Sequence, residues 1–122
     1  MIDYDFHTHT VYSHGTGSIM ENALVAKNKG IKLIGITDHG FNHPCYRVKR
    51  KYLPQMKEEC AGAYGQTGVK VLLGIEANII GISGATDVKK SDYEYVDLYL
   101  AGIHRFVKCD KFSDYFKLLG AN

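Results

Sequence analysis

With 122 residues, the chain holds enough protein for one domain around a single hydrophobic core. Hydrophobic residues make up 45% and charged residues 23%, the balance of a soluble globular protein, and no apolar run approaches the ~18 residues of a membrane-spanning helix. A formal net charge of +2 is too small to argue for nucleic acid or a membrane surface as partner.

Asp3 and Asp5, with no basic stretch before them, read against a signal peptide. The three cysteines, Cys45, Cys60 and Cys109, are odd in number and lack C-x-x-C spacing. They read as small packing residues of a reduced, cytoplasmic protein.

The first predicted element is a short strand, Ile2 to Phe6, which opens into His7, His9 and His14. In an extended chain His7 and His9 point to the same side about 7 Å apart, within reach of one shared metal ion. Two ligands alone do not make a site, so the remaining chain must supply others. Ser18 and Glu21 then form a capping box, which starts a helix at Ile19 that runs to about Lys29. Met20, Ala23, Leu24 and Lys27 recur at helical period, and Gly30 ends the helix.

Ile31 to Thr37 is almost continuously apolar and β-rich, as a strand buried on both faces of a parallel sheet requires. It leads into Asp38 and His39. From Phe41 to Tyr52 the chain is irregular and basic, with Arg47, Lys49, Arg50 and Lys51 close together. A second helix is expected from Leu53 to Tyr64, with Pro54 in its first turn and Met56, Cys60 and Ala63 facing inward. A turn at residues 65–68 precedes a second buried strand, Val69 to Ile75, which delivers Glu76. Ala77 to Thr86 reads as a small hairpin around Gly81 and Gly84. A fourth strand, Tyr95 to Ile103, ends in His104, and a last helix spans Phe112 to Leu119.

This order of elements predicts an α/β fold with a parallel sheet, in which function collects at the carboxyl ends of the strands. All four predicted strands lead directly into metal-capable side chains: His7 and His9, Asp38 and His39, Glu76, and His104. Imidazoles with a carboxylate suit Zn²⁺, Mn²⁺ or Fe²⁺ better than Ca²⁺ or Mg²⁺. Five histidines and one glutamate exceed the ligands that a single catalytic ion takes, so a multinuclear centre is the better inference, with Glu76 as a bridge. Phosphoester hydrolysis would use both the activated water and the charge neutralisation of such a centre. Amide hydrolysis or deamination is the competing chemistry.

Five motifs together resemble the PHP (polymerase and histidinol phosphatase) family. They are Asp5-Phe-His-Thr-His-Thr10, Tyr12-Ser-His-Gly-Thr-Gly-Ser18, Gly35-Ile-Thr-Asp-His-Gly40, Leu73-Gly-Ile-Glu-Ala-Asn78 and Ala101-Gly-Ile-His104. The resemblance implies a distorted (β/α)7 TIM-like barrel that holds up to three divalent metals and hydrolyses a small phosphorylated substrate. It implies one ion on His7, His9 and Glu76, a second on Glu76 and His104, and a third on His14 and His39. Asp38 would stand behind these ligands, as a hydrogen-bond acceptor from an imidazole or as a proton acceptor; capping of the loop backbone is the alternative.

The family barrel is about twice this length, and its later strands bring a further histidine and an Asp-x-His motif. No histidine follows His104 here. Residues 1–122 are therefore expected to be the N-terminal half of a PHP domain, lacking its C-terminal strands and ligands. Such a half could be an incomplete phosphoesterase or a non-catalytic metal-binding or interaction module. Its open barrel edge would favour self-association.

Three other features receive structural readings. His43, beside Pro44, matches no ligand position and is expected at the surface. The Arg47–Lys51 cluster is expected to be solvated, with attraction of an anionic substrate as the alternative. Tyr93, Tyr95 and Tyr99 are expected to pack rather than to stack on bases.

Overall fold

A computed structural model describes residues 2–120. Four strands, β1 (Tyr4–Thr8), β2 (Leu33–His39), β3 (Lys70–Asn78) and β4 (Leu98–Gly102), form one parallel sheet in the order β1-β2-β3-β4. The sheet curls into a half-barrel, so the predicted α/β architecture and its strand order both hold. Helices α1 (Ile19–Asn28) and α2 (Leu53–Thr67) are the first two crossovers, and α3 (Phe112–Gly120) follows β4. No helix among the described residues is long and apolar enough to cross a membrane.

The pleat sorts the strands into two faces. Ile34 and Ile36 of β2 lie with Val71, Leu73, Ile75 and Ala77 of β3 in one buried cluster with α1 and α2. Ile19, Ala23 and Ala26 supply the α1 side, and Leu53, Met56, Cys60 and Ala63 the α2 side. The inward side of α2 is as expected. In α1, Ile19 and Ala26 carry the packing with Ala23, while Leu24 stays 44% exposed. The alternate residues, Leu33, Gly35, Thr37 and His39 on β2 beside their partners Lys70, Leu72, Gly74 and Glu76 on β3, form the opposite face.

Local signals explain most boundaries. Ser18 accepts from the Glu21 N–H while the Glu21 carboxylate accepts from the Ser18 N–H, completing the predicted capping box. Gly30 at φ 73° follows α1. The expected turn at residues 65–68 instead continues α2 through Thr67, and Gly68 at φ 74° ends it. The small hairpin is present, with an antiparallel bridge between Ile79 and Thr86.

Strand β4 is shorter than expected: it starts at Leu98 rather than Tyr95, and a 3₁₀ helix, Lys90–Glu94, precedes it. That change separates the three tyrosines. Tyr95 packs against the core, whereas Tyr93 and Tyr99 are exposed and stack on each other at 6.5 Å. Strands β2 and β3 run two and three residues beyond their predicted ends. His39 and Glu76 are therefore paired strand residues rather than loop residues.

Candidate metal centre

Register sets the centre of the site. His39 and Glu76 are direct cross-strand partners at the carboxyl ends of β2 and β3. Their side chains meet on the face away from the helices, with His39 Nδ1 3.0 Å from Glu76 Oε2. β1 delivers His7 and His9, whose Nε2 atoms each lie 3.4 Å from the same Oε2 and 3.2 Å from each other. From beyond β4, His104 Nε2 approaches Glu76 Oε1 to 3.1 Å. One carboxylate from β3 thus meets four imidazoles drawn from the ends of the other three strands.

The turn after β1 brings in His14 and is held from below. The Asp38 carboxylate is fully buried and accepts three hydrogen bonds: from Thr10 N–H and Thr10 Oγ1, each at 2.6 Å, and from Ser13 Oγ. Thr10 O in turn accepts from Ser13 and Gly15 N–H, and Asn22 Nδ2 of α1 donates to His9 O at 3.0 Å. A Cβ on Gly15 would lie 2.5 Å from the His9 carbonyl oxygen, so only glycine permits this closure. The His14 ring then sits 4.6 Å from that of His9 and 4.8 Å from that of His39.

Three groups of potential ligands result: His7, His9 and Glu76; His39, Glu76 and His104; and His9, His14 and His39. Within each, the donor atoms lie no more than 4.8 Å apart. The contacts of 3.0–3.4 Å around Glu76 are the edges expected about a single ion with bonds of roughly 2.1 Å, ~3.0 Å for an octahedron and ~3.4 Å for a tetrahedron. Buried His39 Nδ1 and Glu76 Oε2 have no hydrogen-bond partner among the described residues, as unfilled coordination would leave them. The donor set therefore fits divalent transition ions.

Electrostatics point the same way. Burial lowers the His39 pKa to about 4, outweighing the attraction of Glu76, and neighbouring imidazoles lower it further. Burial also lowers His9. For Glu76 burial pushes upward, but His39 and His104 outweigh it and the net shift is downward. Neutral imidazoles facing an ionised carboxylate are the protonation states that bind metal.

The six sequence-predicted ligand candidates are brought together. Asp38 stands apart from them, on the helix-covered side, with its Oδ1 3.9 Å from His9 Nδ1. In this structure it caps the Thr10–Ser13 turn. His43 departs from its expected surface position. It is half-buried and stacked on His39, with ring centroids 4.4 Å apart. The turn at Pro44 folds it back, and Val48 N–H bonds to His39 O to close the loop. Its position four residues beyond His39 in a Pro-bearing turn was the available signal. Arg50 is equally removed from the role of a free cation. It bonds to Asp92 at 2.9 and 3.1 Å and to Asp87 O at 2.7 Å, and it lies over the Phe41 ring.

The PHP domain family matches residues 5–119. The chain belongs to the PHP domain family. Relatives include a protein described as a probable phosphatase from Vibrio parahaemolyticus, 37% identical over 106 residues. Another, described in the same way, comes from Aliivibrio fischeri and is 36% identical over 106 residues. Each alignment covers 82% of this PHP chain and 39% of the relative. The chain thus spans about two fifths of the length of these curated relatives.

Proposed function

We propose that this PHP chain contributes to a metal-dependent phosphomonoesterase acting on a small phosphorylated molecule. The observation that carries the reading is the Glu76 carboxylate, met by four imidazoles at 3.0–3.4 Å. In this reading His7, His9 and Glu76 would hold one ion, Glu76 and His104 a second, and His14 and His39 a third, each imidazole serving one ion. Zn²⁺, Mn²⁺ and Fe²⁺ suit these donors. When bound, such ions supply Lewis acidity toward a phosphoryl oxygen and acidify water.

The chain's own residues do the remaining work. Glu76 orients the imidazole ring by accepting from or facing each of its neighbours, and it keeps negative charge between two groups of ligands. Asp38 acts as a positioning residue: through Thr10 and Ser13 it holds the turn that carries His9 and His14. The relatives described as probable phosphatases support the reaction class. Exposure of 51% of the His7 side chain favours a second reading, a metal-binding module without turnover, because these residues by themselves leave the site open to water.

The two readings part in one experiment on this chain. Elemental analysis after loading with Mn²⁺ or Zn²⁺ is paired with p-nitrophenyl phosphate turnover. The phosphoesterase reading expects two or more ions per chain and metal-dependent turnover. Bound metal without turnover selects the second reading, and less than one ion per chain removes both.

A further inference from the structure

The sixth histidine, His43, belongs to none of the three ligand groups, yet it is part of their surroundings. Its ring stacks on His39 at 4.4 Å and 29°, and meets His104 at 5.7 Å in an edge arrangement. A ring is held this closely only if its loop is pinned. His43 N–H donates to Gly40 O at one end of the turn, and Val48 N–H donates to His39 O at the other.

The hydrogen bonds of His43 decide what it can offer. Its Nδ1 accepts the Cys45 N–H at 3.3 Å and the Tyr46 N–H at 3.1 Å. A neutral imidazole that accepts at Nδ1 carries its proton on Nε2. That nitrogen then has no lone pair for a metal and is a donor only. Among the described residues no acceptor faces His43 Nε2, and a donor-only imidazole beside a centre rich in metal-capable groups is suited to an oxyanion.

We propose that His43 is a substrate-positioning residue that donates its Nε2–H to a phosphoryl oxygen of the anion bound at the His/Glu centre. The inference rests on the phosphoesterase reading for the nature of that anion. It assigns His43 a role different from the other five histidines: they face cations through lone pairs, and it faces the anion through a proton.

The test uses the Mn²⁺-loaded chain with inorganic phosphate as probe, binding followed by calorimetry. His43→Ala weakens phosphate binding about 10- to 100-fold, as expected for a lost hydrogen bond to a charged group. His43→Gln, whose amide keeps a donor near the Nε2 position, recovers most of it. Both variants retain the wild-type manganese content. With p-nitrophenyl phosphate, His43→Ala raises KM more than it lowers kcat. Nitrogen-15 spectra of the imidazoles show the Nε2–H tautomer for His43.

Loss of manganese in His43→Ala would make His43 a ligand and overturn the proposal. Unchanged phosphate affinity, an Nδ1–H tautomer, or no phosphate binding by the wild-type chain would overturn it as well. Phosphate binding that depends on His43 without any ester turnover would support the proposal and remove only the catalytic reading.

Discussion

The two faces of the sheet use the same strands for opposite purposes. On the helix-covered face, Ile36 and Leu73 are completely buried, and the polar group that intrudes, Asp38, is saturated by hydrogen bonds. On the opposite face, Glu76 is equally committed to a strand but meets imidazole nitrogens, and one of its oxygens has no hydrogen-bond partner among the described residues. Two carboxylates at neighbouring strand ends thus differ in kind. Asp38 completes the protein's own structure, whereas Glu76 is the carboxylate that the proposed function gives to a cation.

This contrast can be broken from either side. The largest effect is expected on the covered face. Leu73→Ala removes buried methyl groups from the centre of the cluster and should cost about 3–5 kcal/mol in urea unfolding of the metal-free chain. A cost under about 1 kcal/mol would mean that this face is not the core.

On the other face, Glu76→Gln preserves shape and removes charge. Metal affinity, read by competition with a chromophoric chelator, should fall at least about 100-fold, more than the loss typical of groups behind the ligands. The metal-free variant should remain folded by circular dichroism. Retained affinity would show that Glu76 does not bridge ions.

The smallest effect is a pH dependence of the metal-free chain. His39 is depressed to about 4 in the fold from 6.5, and His9 is depressed as well. An imidazole held neutral by the fold takes up a proton more readily in the unfolded chain, so its stabilisation is complete above about 6.5 and is lost as pH falls toward about 4. Glu76, also depressed, adds to the loss below its ordinary 4.5. Urea midpoints should decline across this window. Midpoints that stay level from pH 7 to 4 would contradict the neutral, buried state of these imidazoles.

Much of this was legible in the chain order. The β-rich runs before Asp38, Glu76 and His104 announced parallel strands because a sheet covered on both sides tolerates few polar residues. The capping box at Ser18 and the glycine after α1 are local chemistry, and local chemistry reads directly from neighbours in sequence. That five histidines and Glu76 gather in one place was legible for a related reason: they lie at or shortly after the ends of recognisable strands, and strand ends converge in this architecture.

His43 was not legible, because its place depends on a turn that folds back onto a residue four positions earlier. Arg50 was misread for a similar reason. Its partners, Asp87 and Asp92, are about forty residues away in sequence, and only the β3–β4 connection brings them near. The role of Asp38 was left open between capping and chemistry, and the hydrogen bonds to Thr10 and Ser13 depend on the β1–β2 pairing.

By itself, then, the sequence determined the class of fold, the order of its strands and the residue types gathered at their ends, because periodicity, caps and spacing are properties of adjacent residues. Only the tertiary structure decided which carboxylate is satisfied by the protein and which is not, and that the sixth histidine joins the site. Those distinctions depend on strand register and on which face of the pleat a side chain occupies, and a shift of one residue would reverse them.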